Sequence, residues 1–227
     1  MHDDAVTPSL IFDLDGTLID SLPGISNSLN RTLEKHGLPT HPQKVVRSFV
    51  GNGILLLVER AASHASDEQL AVLVDDFKKD YADTWMEGTR PYNGITQLLK
   101  ELQRDGHQLA VLSNKVHSFT QTITRQIFPL INFMQIVGQQ EGIPHKPHPS
   151  GAFKIAMAMG RNPHDCILIG DSVADAETAQ NAEMTFIGVT WGYQDRIRLM
   201  EAGANKFIET PGALPHLLKT LDSDVHA

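Results

Sequence analysis

Carboxylate side chains stand directly after two of the most apolar runs in the chain. Asp13 and Asp15 follow one of these runs and Asp171 follows another, with Asp175 one helical turn further on. A carboxylate beside such a run loses hydration, which costs free energy unless a cation or a hydrogen-bond donor compensates it. The four carboxylates therefore indicate a site at which positive charge must be supplied.

A hydroxyl, an amide and an amine occur at similar positions, at the end of an apolar run or in a loop before a predicted helix. Ser113 and Asn114 end the apolar run LAVL, and Lys146 lies in a loop just before a helix that should begin near Pro149. Taken singly, the Asp-x-Asp-Gly motif that begins at Asp13 is typical of a turn, Asp171 with Ser172 is typical of a helix cap, and Lys146 is typical of a solvated loop. Coincidence is a much weaker explanation for all of them together, which favours one shared site.

These residues become neighbours if the apolar runs are strands of one parallel sheet. Beyond residue 90, short apolar runs such as QLAVLSN, MQIVG, CILIGD and TFIGVT alternate with amphipathic stretches. Continuous apolar runs are typical of strands buried on both faces, and the alternation is typical of β-α units. The predicted fold class is α/β, a Rossmann-like doubly wound parallel sheet whose ligand lies outside the carboxyl ends of the strands.

The segment after the first strand has a helical pattern instead. Its apolar residues recur every three or four positions, and the capping-box pair Ser66 and Gln69 predicts the start of one of its helices. The pattern predicts no strand in this segment. The sequence therefore predicts a discontinuous α/β core of residues 1–20 and 90–227 and an inserted all-helical cap domain of residues 21–89.

Composition narrows the classes of function. The chain has 19 basic and 27 acidic residues, and its net charge of -8 disfavours nucleic acid and anionic membranes as partners. No apolar run reaches membrane-spanning length and the start MHDD lacks the features of a secretory signal, so we expect a cytoplasmic protein. Cys166 lies inside an apolar run, and we assign it to the core, together with Met157 and Met159.

The motifs also occur in a recognisable order. DLDGT around Asp13, the strand end at Ser113, KPHP around Lys146 and GDSVAD around Asp171 resemble, in order and spacing, the haloacid dehalogenase (HAD) superfamily of phosphatases over nearly the whole chain. Within that superfamily, VRSFVGNG, RPYNG and VTWGY are similar to the bacterial phosphoglycolate phosphatase family. The resemblance implies a HAD-like core with an inserted helical cap. Ser113 stands where threonine is common, and the lead-in to Lys146 is short.

Phosphoryl transfer needs an in-line nucleophile and a proton for the leaving oxygen. Asp13 is the expected nucleophile, because a carboxylate can form an aspartyl-phosphate that water later cleaves. Asp15 is the expected general acid and base, since strand side chains two positions apart lie on the same side and Leu14 then points into the core. The family resemblance implies the same two roles.

Several carboxylates and a phosphate dianion repel one another too strongly to share a pocket without a divalent cation. Hard oxygen ligands favour Mg²⁺. We expect the Asp13 carboxylate, the Asp15 carbonyl and Asp171 to hold the metal, with Asp175 as a supporting or water-mediated ligand. The phosphoryl group is expected to bind Lys146, Ser113 and the amides near Asn114.

The loop from Arg47 to Gly53 in the predicted cap is the expected specificity element. Gly51 and Gly53 flank Asn52, and paired glycines mark a tight loop that can approach a ligand closely. A small carboxylated substrate such as 2-phosphoglycolate also needs a nearby cation, for which Arg47 or Lys44 is the candidate. The favoured function is hydrolysis of 2-phosphoglycolate to glycolate and phosphate.

Alternative functions share much of this pattern. A phosphatase for a sugar phosphate, a nucleotide or pyrophosphate has the same site, and a phosphosugar mutase has the same fold, although Thr17 favours a phosphatase. Dehalogenase chemistry leaves Asp15 without a role, and a signalling receiver domain carries its phosphorylated aspartate on a later strand. The expected partner is a small phosphorylated metabolite, and the protein itself is expected to be a monomer or a homodimer.

Overall fold

This computed structural model describes residues 7–224, which contain eight strands, ten α-helices and two 3₁₀ helices, Pro163–Asp165 and Pro211–Ala213. The strands are β1 (Ser9–Phe12), β2 (Ile19–Asp20), β3 (Arg90–Pro91), β4 (Leu109–Val116), β5 (Phe133–Gln139), β6 (Cys166–Gly170), β7 (Thr185–Val189) and β8 (Phe207–Ile208). The helices are α1 (Leu22–Lys35), α2 (Gln43–Val46), α3 (Ile54–Ala61), α4 (Asp67–Thr84), α5 (Ile95–Arg104), α6 (His117–Ile127), α7 (Ser150–Ala158), α8 (Val173–Asn181), α9 (Arg196–Glu201) and α10 (Leu214–Asp224). Within residues 7–224, no helix combines the length and the apolar character that crossing a membrane requires.

Six of the strands form one parallel sheet in the order β5-β4-β1-β6-β7-β8. From β1 the chain passes to β4 and β5 on one side of the sheet and then returns to β6, β7 and β8 on the other. Strands β1 and β6 are buried along their whole length. The strand order therefore reverses beside β1, and such a switch point forms a ligand crevice at the carboxyl ends of the strands. The predicted α/β fold class is confirmed.

Helices α1 to α4, with their connecting loops, lie between β2 and β3 in the chain, and we call this segment the helical insertion. Helices α1 and α4 pack together, with Leu29 and Phe77 buried and an ion pair of 2.7 Å between Arg31 and Asp80. The capping box at Ser66 is formed at the start of α4. The predicted helical pattern is confirmed, whereas the division of the chain into a core and a separate cap domain stays a prediction.

Two features differ from the sequence expectations. Strands β2, β3 and β8 contain two residues each, which is too short for any pattern of alternation to show. Met159 and Cys166 are buried as predicted, but Met157 is 77% exposed, so its assignment to the core is wrong. Two residues along a helix correspond to a rotation of about 200° around its axis, so the two methionines lie on nearly opposite faces and cannot share the buried one.

Candidate active site

The residues singled out for chemistry meet at the carboxyl ends of β1, β4 and β6. Asp13 directly follows β1, Ser113 and Asn114 lie within β4, and Asp171 directly follows β6. Lys146 reaches the same place from the loop before α7. All five line one cavity of about 440 Å³, which we call the cleft. The sheet topology therefore brings these separate segments to one site.

Lys146 is buried among carboxylates and a main-chain oxygen. Its Nζ lies 2.8 Å from Asp13 Oδ1 and 2.6 Å from Asp175 Oδ1, and it donates a hydrogen bond to the Leu112 carbonyl at 3.1 Å. Burial alone would lower the pKa of this amine, but the two carboxylates raise the pKa of Lys146 above its ordinary value. The amine is therefore a fixed positive charge beside Asp13.

Asn114 fixes the loop that carries Lys146. Its Oδ1 accepts a hydrogen bond from the Lys146 N–H at 2.7 Å, and its Nδ2 donates to the carbonyls of Lys146 and Gly51, each at 3.1 Å. The Asn114 side chain is therefore committed to the protein, and phosphate binding by nearby amides stays a prediction. Ser113 Oγ accepts from the Lys115 N–H at 3.2 Å, which leaves its hydroxyl proton available to a ligand.

Three buried carboxylates surround one small volume beside Lys146. Asp13, Asp171 and Asp175 each place one oxygen within 4.8 Å of the others. Burial raises the pKa of Asp13 well above its ordinary value, although Lys146 acts in the opposite direction. Burial, together with the charge of Asp175, raises the pKa of Asp171 to about 7. Asp13 and Asp171 therefore resist being free anions side by side.

The same oxygens suit a divalent cation. Asp13 Oδ1 is buried and, although Lys146 lies close to it, no donor among the described residues has hydrogen-bond geometry toward it. Asp171 sits between two glycines: a Cβ at Gly16 would lie 2.2 Å from Asp171 Oδ2, and one at Gly192 would lie 2.2 Å from Asp171 Cβ. Hard carboxylate oxygens, one of them unsatisfied, are the donors that Mg²⁺ takes. The donor set therefore fits the cation that the sequence leads us to expect.

Asp15 contacts a residue that sequence reasoning does not single out. Lys115 Nζ lies 3.0 and 2.9 Å from the two carboxylate oxygens of Asp15, and Ser21 Oγ donates to Oδ1 at 2.5 Å. Burial lowers and Asp15 raises the pKa of Lys115, with the net result above its ordinary value. Both Asp15 and Lys115 line the cleft, so a second fixed positive charge lies there.

The loop after β7 links Asp171 to the helical insertion. The Tyr193 N–H donates to Asp171 Oδ2 at 2.6 Å. Arg47, from the insertion, donates from Nη2 to the Gly192 carbonyl at 2.8 Å and from Nε to the Tyr193 carbonyl at 2.7 Å. Arg47 therefore lines the cleft, as expected of a specificity residue, but two of its donors are used by the main chain.

Of the other residues expected to set specificity, some line the cleft and one does not. Gly51 lines the cleft with a φ of +115°, a conformation that favours glycine. Asn52 is not brought to the cleft, and its Oδ1 accepts a hydrogen bond from Arg60 at 3.1 Å. Lys44 lines the cleft from α2. The structure therefore brings two cations of the insertion, Lys44 and Arg47, and both Gly51 and Gly53 to the cleft, and it turns the asparagine away.

The chain matches the family described as haloacid dehalogenase-like hydrolase over residues 10–189. It belongs to that family. The matched stretch contains Asp13, Lys146 and Asp171, so the family core includes the residues that meet in the cleft. The family predicted from the order of the motifs is confirmed, and with it the prediction of an enzyme, a hydrolase.

Relatives of this haloacid dehalogenase-like hydrolase are similar over most of their length. A phosphoglycolate phosphatase from Mannheimia succiniciproducens is 34% identical over 190 residues, covering 80% of this chain and 85% of the relative. A phosphoglycolate phosphatase from Mesorhizobium japonicum is 32% identical over 204 residues, covering 87% and 89% of the two chains. The predicted resemblance to bacterial phosphoglycolate phosphatases is therefore confirmed.

Solved structures share the arrangement of strands and helices. A predicted phosphoglycolate phosphatase from Haemophilus somnus gives a TM-score of 0.85 at 26% identity, covering 92% of this chain and 97% of the other. CbbY from Rhodobacter sphaeroides, solved in complex with phosphate, gives a TM-score of 0.78 over 92% of this chain and 96% of the other. At 20% identity, the second similarity concerns the fold alone.

One signal in the sequence points to Lys115. Residues two apart on a strand share a face, so a candidate at Ser113 makes residue 115 its neighbour on the same side of β4. A lysine after an asparagine at a strand end is nevertheless typical of an exposed position. The burial of Lys115 and its contact with Asp15 distinguish it from such a residue in this hydrolase.

Proposed function

We propose that this enzyme hydrolyses 2-phosphoglycolate to glycolate and phosphate through an aspartyl-phosphate on Asp13, with Mg²⁺ as its cofactor. That it is a phosphatase follows from its family and from its curated relatives, which carry the name phosphoglycolate phosphatase. The observation that carries the mechanism is the contact of Lys146 with Asp13 and Asp175 beside a cluster of carboxylate oxygens.

In the first step, a carboxylate oxygen of Asp13 attacks phosphorus in line with the ester oxygen. The bond between phosphorus and the ester oxygen breaks, and the departing oxygen takes a proton from Asp15. Lys146, charged and 2.8 Å from Asp13, neutralises a phosphoryl oxygen next to the point of attack. Ser113 donates its hydroxyl proton to a second phosphoryl oxygen.

In the second step, water attacks the phosphorus of the aspartyl-phosphate. Asp15 takes a proton from this water, the bond between phosphorus and the Asp13 oxygen breaks, and free phosphate leaves. The Ser21 hydroxyl donates a hydrogen bond to the Asp15 carboxylate while it does so. The Asp15 carboxyl group gives its proton to the leaving oxygen in the first step and takes one from water in the second, so the enzyme returns to its starting state after each turnover.

The carboxylates of Asp13 and Asp171 and the carbonyl of Asp15 would hold the cation. When bound, Mg²⁺ supplies positive charge that offsets the charge of the phosphoryl oxygens. The hydrogen bonds of Thr17 and Tyr193 to Asp171, at 3.1 and 2.6 Å, orient that carboxylate beforehand.

Asp175 suits a supporting role better than direct ligation. Its Oδ1 already lies 2.6 Å from Lys146 Nζ, and its Oδ2 accepts from the main chain and from the hydroxyl of Ser172, at 3.1 and 2.6 Å. Asp175 thus has three donors, one of them the charged amine of Lys146, whereas the oxygens of Asp171 accept one hydrogen bond each, from Thr17 and Tyr193, so Asp175 is the poorer ligand of the two. Its function is to hold Lys146 against Asp13.

The carboxylate of 2-phosphoglycolate would be bound by cations that the phosphoryl group does not use. Three further cations, Lys44, Arg47 and Arg198, line the cleft. Arg47 already donates to two main-chain carbonyls. Lys44 and Arg198 are exposed, and the contacts described within residues 7–224 give neither side chain an ion-pair partner. Lys44 and Arg198 therefore rank ahead of Arg47, and we assign the substrate carboxylate to Lys44, because Lys44 lies on α2 of the helical insertion.

A panel of substrates tests this proposal. The kcat/KM for 2-phosphoglycolate should exceed that for ethyl phosphate by at least about tenfold, because one charge-assisted hydrogen bond contributes roughly 1.5–3 kcal/mol. Glucose phosphates, nucleoside monophosphates and pyrophosphate should also be poorer substrates.

Lys44→Met should remove most of the advantage over ethyl phosphate. The matched control is Lys100→Met, an exposed lysine on α5 outside the cleft. Release of inorganic phosphate is the readout.

Two outcomes would redirect the proposal. Equal kcat/KM for 2-phosphoglycolate and for neutral alkyl phosphates would reject phosphoglycolate as the substrate while leaving a phosphatase. Interconversion of glucose phosphates without release of phosphate would identify a phosphosugar mutase instead.

A further inference from the structure

Lys115 is enclosed between Asp15 and the helical insertion. Its side chain is only 7% exposed, and its Nζ lies 2.9 Å from Asp15 Oδ2. Nζ also lies 5.0 Å from the centre of the Tyr81 ring on α4. Lysines are rarely buried without a charged partner, and a desolvated cation over an aromatic face is attracted to it. The amine therefore has one anionic and one aromatic partner.

The main chain around Lys115 is fixed as well. Its N–H donates to Ser113 Oγ at 3.2 Å, and its carbonyl accepts from Thr120 Oγ1 at 3.0 Å. A Cβ at Gly138 of the neighbouring strand would lie 2.6 Å from the Lys115 carbonyl oxygen, so the backbone of β5 packs closely against it. The point from which the Lys115 side chain extends cannot shift by much.

Asp15, by contrast, lies outside the main body of the sheet. Strand β1 ends at Phe12, Gly16 has a φ of +89°, and Asp15 forms an isolated bridge to Ile19, so Asp15 lies in the turn that follows β1. The side-chain contacts described for its carboxylate come from Ser21 and Lys115. Proton transfer requires the transferring group to be held within about 0.5 Å of its productive position. A carboxylate in a turn needs outside contacts to meet that requirement.

We propose that Lys115 is a positioning residue that holds the carboxylate of Asp15 in the cleft, with the ring of Tyr81 from the helical insertion holding the amine in turn. This inference rests on the proposed function, in which Asp15 gives a proton to the leaving oxygen. Lys115 itself transfers no proton and forms no bond to the substrate in this account. Its effect on the reaction passes through Asp15.

Two substrates with different leaving groups distinguish this role of Lys115 from a direct contact with the phosphoryl group. A weakly basic leaving group such as p-nitrophenolate departs with little help from an acid, whereas phenolate needs a proton. If Lys115 acts through Asp15, its loss penalises phenyl phosphate far more than p-nitrophenyl phosphate. If Lys115 binds the phosphoryl group, its loss penalises the two substrates equally.

The experiment measures kcat/KM for both aryl phosphates in the full-length protein with Mg²⁺ present. Lys115→Met should lower kcat/KM for phenyl phosphate by about 10- to 100-fold and that for p-nitrophenyl phosphate by less than about threefold, since general acid catalysis contributes roughly 10²–10⁴-fold. Asp15→Asn should show the same preference more strongly. Because both variants remove one function, adding Lys115→Met to Asp15→Asn should change the rates by less than about threefold. Lys100→Met is the matched control and should leave both rates unchanged.

Each contrary outcome has one meaning. Equal losses on the two substrates, or losses that multiply in the double variant, overturn the inference and leave the proposed function standing. An Asp15→Asn variant without any preference between the leaving groups overturns the proposed proton transfer by Asp15, and the inference with it.

A second pair of variants covers the case in which Lys115→Met does not fold. Tyr81→Leu removes the ring that faces the amine, and Tyr81→Phe keeps it. Tyr81→Leu should lower the ratio of the phenyl rate to the p-nitrophenyl rate by about threefold or more, and Tyr81→Phe should leave the ratio unchanged. An unchanged ratio in both variants, with melting temperatures near normal, overturns the inference.

Discussion

An Asp13→Asn variant is expected to fold normally and to lose at least about 10⁴-fold in kcat, because an amide cannot form the acyl phosphate. The amide occupies nearly the same volume as the carboxylate, and Lys146 keeps its 2.6 Å contact with Asp175. Burial raises the pKa of Asp13 well above its ordinary value, which means that its charge opposes folding at neutral pH. Replacing the charge with an amide should therefore cost little stability.

Two measurements on each variant separate chemistry from folding. Steady-state phosphate release gives kcat, and thermal unfolding followed by circular dichroism gives the melting temperature. Asp75→Asn is the matched control, because Asp75 is an exposed carboxylate on α4 at 4.0 Å from Lys78 and should keep both values. An Asp13→Asn variant that kept a substantial share of the normal kcat would remove Asp13 as the nucleophile.

Removal of divalent cations is expected to have an effect of similar size. Excess EDTA should lower phosphate release to the level of the Asp13→Asn variant, and Mg²⁺ should restore it, because Asp13 and Asp171 cannot otherwise share the site with a phosphate dianion. Full activity in excess EDTA would contradict the metal site.

The pH dependence of metal binding follows from the same carboxylates. The pKa of Asp171 lies at about 7, above the ordinary 3.8, so a proton occupies this group below neutral pH and the cation must displace it. The Mg²⁺ concentration for half-maximal activity should therefore be higher at about pH 6 than at about pH 8, by up to about tenfold per pH unit. A value independent of pH would count against Asp171 as a ligand.

Without a bound cation, the free energy of unfolding should fall as the pH rises, whereas the affinity for Mg²⁺ should increase over the same range. A carboxyl whose pKa is raised on folding binds its proton more tightly in the folded state, so the folded state loses stability as the pH rises from 3.8 toward about 7. Mg²⁺ binds the deprotonated carboxylates and should raise the melting temperature more above neutral pH than below it.

The positions of the main site residues could be predicted because each follows a buried strand. Asp13, Ser113 and Asp171 end or follow apolar runs, and a parallel sheet brings the carboxyl ends of its strands to one edge. No side-chain detail is needed for that inference. The helical insertion could be predicted equally well, since its apolar period of three to four residues differs from that of the strands.

Contacts between distant residues could not be predicted in the same way. Lys115 contacts Asp15 across 100 positions, and Arg47 donates to carbonyls 145 and 146 positions away. A main-chain carbonyl is the same in every residue, so no sequence pattern marks it as the partner of an arginine. The orientation of Asn52 toward Arg60 depends likewise on the local course of a loop.

The most direct test of the central claim is to trap the covalent intermediate on Asp13. The enzyme would be mixed with substrate and Mg²⁺, quenched in acid during turnover, reduced with borohydride and mapped by mass spectrometry of its peptides. Borohydride converts an acyl phosphate to an alcohol, so we predict homoserine at position 13 and unmodified Asp15. Unmodified Asp13 in enzyme quenched at full turnover, or homoserine at position 15, would contradict the account.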